Sequence, residues 1–312
     1  MPVCIVAALC LRPGMALAEM AQQMAPECDT ASSRYELLTL PAPATGPMKR
    51  IWIYLPPGYG CAPMRRYPAF FFNDGQDLFD WNPFAPDLDP AVAAMIAMQD
   101  ARYGSWRLGG QLDEAAMRHL LPPLVVAGIA SDDGMRSRDL APVAWSGSFE
   151  GRGADHARFV ARVVVPAVDR RYLTMADRRC RGIGGASLGG LSALSIALTH
   201  ADTFGLGMAL SPLVGEPALA GHIAAAYAAV PANVPSVLFI DVDDDAAGRA
   251  DMAWFAALVD GSRHPGRLVA LTGTPGGRHH ISSWAERVIP ALQWLFARSC
   301  PDPGPDADRA SR

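Results

Sequence analysis

The sequence predicts an α/β protein: one mostly parallel central sheet with helices on both faces. Two observations carry this. Short apolar runs of β type, each bounded by turn or polar residues, alternate with longer alanine-rich segments of helical period. No internal repeat and no Pro/Gly/Ser linker divides the chain, so the alternation belongs to a single domain.

Composition agrees. With 312 residues, 50% of them hydrophobic and 19% charged, the chain can bury a substantial core, which excludes intrinsic disorder and fibrous repeats. Lys plus Arg at 27 against Asp plus Glu at 31 gives a net charge of -4, without the positive surplus that phosphate backbones select, so no nucleic-acid partner is expected. Lys49 is the only lysine.

Residues 1–18 read as a signal peptide. An apolar stretch of about ten residues ends in Ala16-Leu17-Ala18, the small-x-small pattern of a cleavage site, although no basic residue precedes it and Arg12 interrupts it. The mature chain is then expected to be periplasmic or secreted. No later stretch reaches the eighteen or more apolar residues that a spanning helix needs, so no membrane span is expected. Loss of Cys4 and Cys10 with the signal leaves Cys28, Cys61, Cys180 and Cys300, an even set suited to one or two disulfides. The sequence does not fix the pairing; Cys28 with Cys61, and Cys180 with Cys300, is one arrangement. None of the four stands in a CxxC or Cys/His spacing, so no zinc site is expected.

After an N-terminal extension over 19–45, the main domain is expected over 46–299. Arg50–Leu55 is a strand closed by Pro56-Pro57-Gly58, and Tyr67–Phe72 is a second that runs into Asn73-Asp74-Gly75-Gln76. Pro122–Ile129, Arg181–Gly185 and Ser236–Val242 make three more. Helices are expected over Asp155–Val168, Leu191–His200 and Arg287–Arg298, and 300–312 reads as a polar, disordered tail.

The strongest chemical signal is Gly185-Ala186-Ser187-Leu188-Gly189-Gly190, a G-x-S-x-G between a buried strand and an alanine-rich helix. A serine hydroxyl is a poor nucleophile, so it must project at a sharp turn where a base can reach it, and glycines two before and two after permit that crowding. The following helix aims its N–H groups at charge developing on a substrate carbonyl. A base and an acid should follow in the order Ser, acid, His. His279 or His280, in the loop Gly276-Gly277-Arg278-His279-His280, supplies the base. The acid should stand just past Ser236–Val242, where Asp241, Asp243, Asp244 and Asp245 crowd together. Their spacing also mimics the start of a calcium loop, but Ala246 stands where that loop needs glycine and Met252 where it needs glutamate. The oxyanion hole is assigned to the N–H groups of Leu188 and Gln76. This chemistry needs no cofactor and no metal, and its partner is a small-molecule ester.

Several blocks in order resemble the esterase D-like α/β-hydrolases, the family of enterochelin esterases, S-formylglutathione hydrolases, mycolyltransferases and feruloyl or acetylxylan esterases. They are Ile51–Tyr59, Tyr67–Asp80 with its DGQDLFD, Trp106 with Asp113-Glu114, Arg138–Pro142, Gly153–Thr174, and Ala209-Leu210-Ser211-Pro212. The likeness runs from about Arg50 to Phe296 and implies the α/β-hydrolase fold and a serine esterase. The late block is similar to G-G-x-H-N-E-x-x-W with His279 as base and His280 in the asparagine position. The chain departs from the pattern at Ile281, at Leu140 and in the acid loop, where Asp245 is taken as the acid with Asp243 and Asp244 behind it. The likeness further implies siderophore or acylated-sugar esters as substrates, with acyl transfer or silent ligand binding as alternatives. Trp81, Phe84, Trp106, Trp145 and Trp284 are candidates for an aromatic pocket.

Overall fold

The computed structural model describes residues 29–43, 48–80, 88–131, 134–146, 150–262 and 264–300. The expected signal peptide and most of the expected tail lie outside them.

Among the described residues eight strands form one sheet in the order β1-β2-β4-β3-β5-β6-β7-β8. They are β1 Arg34–Pro41, β2 Met48–Leu55, β3 Ala69–Asn73, β4 Val125–Ile129, β5 Arg181–Ala186, β6 Leu206–Leu210, β7 Ser236–Val242 and β8 Arg267–Gly273. β1 and β2 run antiparallel to each other, and β2 antiparallel to β4. From β4 through β8 every pairing is parallel. One expectation is corrected at an edge of the sheet. The stretch 19–45, expected to be an N-terminal extension, contains β1, which pairs with β2 along its whole length. The opposite edge is β8, which leads into the His279 loop. Cys180, at the entry to β5, and Cys300 form the disulfide that the sequence offered as one arrangement, so the first residue of the expected tail is tied to the sheet.

The helices are α1 Pro90–Tyr103, α2 Leu108–Met117, α3 Arg136–Leu140, α4 Gly153–Phe159, which continues through a π turn at Val160–Val164 into α5 Val165–Arg171, then α6 Leu188–Thr199, α7 Pro217–Ala229, α8 Ala246–Ser262 and α9 Ile281–Ser299. The central strands read as continuous apolar runs because both their faces are covered. Phe71 packs into one core with Val160, Leu191, Leu194 and Phe255. Its neighbours Phe70 and Phe72 point the other way, into a second core with Leu112, Leu292 and Leu295.

Parallel strands place all their carboxyl ends on one side, and loops gather there. Asn73, Ala186, Val242 and Gly273 end β3, β5, β7 and β8. The residues that follow them build the site.

Candidate active site

β5 ends at Ala186 and α6 starts at Leu188, so Ser187 alone makes the turn. Its φ is 55° and ψ -128°, a conformation that costs a non-glycine residue roughly 1–3 kcal/mol. The surroundings enforce it: the Ser187 N–H donates to the Leu210 carbonyl at 2.9 Å, while its own carbonyl accepts from Leu191 at 3.0 Å. A Cβ on Gly185 would stand 2.5 Å from the Gly189 carbonyl oxygen, so the strand and helix can cross this closely only with glycine there. The result is a half-exposed hydroxyl at the head of a helix.

Its base arrives from the far edge. The loop after β8 turns at Gly276, with φ 72°, and is tied back by Gly277 N–H to Thr274 at 2.8 Å and by Asp244 N–H to Gly277 at 2.9 Å. His279 Nε2 lies 2.8 Å from Ser187 Oγ, and its Nδ1 lies 2.8 Å from Asp243 Oδ2. His280 faces away and caps α9, its Nδ1 accepting from the Ser282 N–H at 3.3 Å.

The expected acid, Asp245, is elsewhere. It accepts the Gly248 N–H at 2.8 Å and so caps the first turn of α8. Asp244 binds the Gly276 N–H at 2.9 Å and shapes the histidine loop. Asp243, the first residue beyond β7, is the one that reaches His279. Burial by itself would push its carboxyl up, but hydrogen bonds from Ser211, His279 and Arg287 outweigh that and hold it below the usual aspartate range. It stays ionised at neutral pH, the state that can steady an imidazolium.

The other flank is the turn after β3. Asp74, with φ 58°, opens a 3-10 turn over Gly75–Asp77. Its carboxylate takes both arms of Arg136 at 2.7 Å, which raises the arginine pKa further. Asn73 Nδ2 donates to the Gly189 carbonyl at 2.9 Å, and a Cβ on Gly189 would meet Asp74 Oδ2 at 2.5 Å. The turn carrying Gln76 is therefore pressed against the head of α6 that carries Leu188. Gln76 is fixed through its side chain, whose Oε1 accepts the Ser131 N–H at 2.9 Å from the end of β4.

Of the aromatic candidates, Trp81 and Phe84 lie outside the described residues. Trp106 is buried edge-on against Phe72, and Trp145 packs against the core. Trp284 meets the site, its ring T-shaped to His279 at 5.1 Å. Sequence reading passed over Arg287, which donates to Asp243 at 3.1 Å from inside α9. An arginine within the apolar face of an amphipathic helix was the available signal.

A family model described as "Putative esterase" matches residues 43–295. Among solved structures the chain is similar to the enterobactin esterase FES from Shigella flexneri in the presence of enterobactin, with 20% identity and a TM-score of 0.64, over 86% of this chain and 61% of that one. It is also similar to an IroE-like serine hydrolase from Shewanella oneidensis, with 16% identity and a TM-score of 0.62, over 85% of this chain and 80% of that one. A third is the feruloyl esterase module from Clostridium thermocellum complexed with sinapinate, with 19% identity and a TM-score of 0.58, over 87% of this chain and 92% of that module. At such identities the likeness is one of fold. No curated protein sequence matches. With the family match running from before β2 into the last turns of α9, the chain belongs to the Esterase family and is a carboxylic ester hydrolase.

Proposed function

We propose that the chain is a serine esterase working through an acyl-enzyme, with Ser187 as nucleophile, His279 as general base and acid, and Asp243 as the acid that orients it. The observation that carries this is the unbroken run from Ser187 Oγ to His279 Nε2 and from His279 Nδ1 to Asp243 Oδ2, each step 2.8 Å.

In the first half-reaction His279 Nε2 takes the Ser187 proton as Oγ attacks the ester carbonyl. The Leu188 and Gln76 N–H groups hold the oxyanion; both belong to turns locked together by Asn73 and Gly189. Collapse of the tetrahedral species expels the alcohol, which leaves with the proton from His279. Water then repeats the cycle on the acyl-serine, releasing the acid and restoring the hydroxyl. Asp243 keeps one tautomer of His279 in place and balances its charge without taking up the proton itself.

The preferred substrates are siderophore or acylated-sugar esters. Support comes from the fold neighbours, an enterobactin esterase and a feruloyl esterase module, and from the aromatic Trp284 ring, T-shaped to His279 at 5.1 Å. An oxidising compartment is supported by the Cys180–Cys300 disulfide and by Cys61, which is also disulfide-bonded; Cys28, its expected partner, lies outside the described residues. No helix among the described residues is long and apolar enough to cross a membrane.

The test is release of acid from p-nitrophenyl butyrate, a feruloylated sugar and a cyclic catechol-siderophore triester, each with and without an added sugar acceptor. Hydrolysis that an acceptor does not divert supports the esterase. Product transferred to the acceptor would make the chain an acyltransferase, and folded protein without turnover would make it a ligand-binding module.

A further inference from the structure

The acid and the base sit on separate loops, after β7 and after β8, and one buried side chain touches both. Arg287 lies on the seventh position of α9, 4% exposed. Its Nε donates to the Ser283 carbonyl one turn back at 3.0 Å, which aims the guanidinium at the sheet ends. Nη1 reaches Asp241 Oδ2 at 3.2 Å. Nη2 stands within hydrogen-bond distance of Asp243 Oδ1 at 3.1 Å, Ser211 Oγ at 3.1 Å and the Arg278 carbonyl at 3.2 Å.

We infer that Arg287 is a positioning residue: its planar fork sets the carboxylate of Asp243 and the peptide preceding His279 in one register. The inference rests on the esterase reading of Ser187 and His279.

The geometry explains why an arginine is needed. Asp243 Oδ1 receives Ser211 Oγ at 2.5 Å as well as Arg287, so it is occupied and Oδ2 is left for His279. Ser211 in turn accepts Trp284 Nε1 at 3.0 Å and holds a left-handed φ of 47°, a strained backbone kept by its N–H bond to the Asp241 carbonyl at 2.6 Å. Asp241 closes the far side. It accepts Thr272 Oγ1 and the Thr274 N–H, both at 3.1 Å, and Thr274 Oγ1 at 2.7 Å, which anchors the start of the histidine loop. A guanidinium buried this deeply must be paired, and two aspartates supply the pairing. A lysine would keep the charge but could not hold Asp241, Asp243 and the Arg278 carbonyl from one plane.

Removing Arg287 alone strands two buried carboxylates, so the test pairs Arg287→Met with Asp241→Asn in one chain and sets it beside Arg287→Lys. Thermal melts establish folding. On p-nitrophenyl butyrate the double variant should lose about 10- to 100-fold in kcat with KM within about twofold, the pattern of a misoriented reacting group rather than lost binding. Arg287→Lys should fall between it and wild type. The low-field proton resonance of the His279 Nδ1–H···Asp243 bond should shift or broaden in the double variant. A folded double variant with kcat within about threefold of wild type and an unmoved resonance would overturn the inference. If the double variant does not fold, Arg287→Lys decides: wild-type kcat overturns, and lowered kcat at unchanged KM supports. A wild type without turnover and without fluorophosphonate label would instead remove the esterase reading, and the inference with it.

Discussion

Two serines in α6 and its approach each touch a histidine at the same distance. Ser187 Oγ is 2.8 Å from His279 Nε2, and Ser195 Oγ is 2.8 Å from His222 Nε2. Everything around the two contacts differs. Ser187 stands in the turn ahead of the helix, with N–H groups of the first turn free to point at a ligand. Ser195 lies two turns inside α6, where backbone N–H groups are spent within the helix. His279 is backed by a buried, ionised carboxylate; among the described residues the His222 ring has no carboxylate partner. His222 instead faces a cavity of about 190 Å³ with Ala157, Thr199 and His200, and burial lowers its pKa. A hydroxyl–imidazole contact is thus only part of a nucleophile. The strained turn, the free donors and the fixed carboxylate make the difference.

The contrast can be broken most forcefully at its two serines. Ser187→Ala should remove on the order of 10⁵-fold or more of kcat/KM on p-nitrophenyl acetate, and His279→Ala nearly as much, while Ser195→Ala and His222→Ala stay within about threefold of wild type. Equal losses at both pairs would erase the distinction. Asp243→Asn should cost about 10⁴-fold in kcat, because an amide favours the wrong imidazole tautomer. Asp245→Ala should leave kcat near wild type and lower stability by about 1 kcal/mol, the value of a helix cap, read in a denaturant titration. Next comes the proposed second oxyanion donor: Gln76→Pro, which removes the N–H, should lose about 10²-fold in kcat, against a smaller loss for Gln76→Ala. Comparable losses in the two would move the effect to the side chain that holds Ser131.

The smallest effect concerns His222. Its folded pKa is depressed, so as pH falls the unfolded chain takes up the proton first, and the native state loses stability from about pH 6.5 downward. The Tm of wild type should therefore drop relative to His222→Gln between about pH 7 and pH 5, with kcat/KM of the two unchanged relative to each other. A constant Tm difference would mean that the ring does not titrate with folding.

The sequence was most legible where chemistry demands a rare local pattern. Ser187 is flanked by glycines between a strand and a helix, and His279 sits in a glycine-rich loop at a fixed distance from Trp284. Strands with both faces covered announced themselves as apolar runs, and β7 has the same bounds in sequence and structure. The acid was harder, because in Asp243-Asp244-Asp245 a one-residue shift changes which side chain faces the histidine. Composition is equal at all three positions, so the choice falls to where β7 ends and to Asp245 being taken up as the cap of α8. Asp-Ala-Ala-Gly ahead of a helical stretch was the readable trace of that cap. β1 escaped notice for another reason. It is an edge strand whose burial is only partial along Arg34–Pro41, so its composition lacks the apolar block of the inner strands. Arg287 left only a general trace, an arginine on the apolar face of an amphipathic helix, since nothing local reveals which strand ends far away in the chain it will meet.

The central claim is that Ser187 is the activated nucleophile, and labelling tests it most directly. The folded wild-type chain is treated with a fluorophosphonate, digested, and the modified peptide read by mass spectrometry, beside Ser187→Ala and Asp243→Asn. One label per chain on Ser187, absent from Ser187→Ala and strongly slowed in Asp243→Asn, is the expected result. Label on Ser195, or none on a folded and otherwise intact chain, would contradict it.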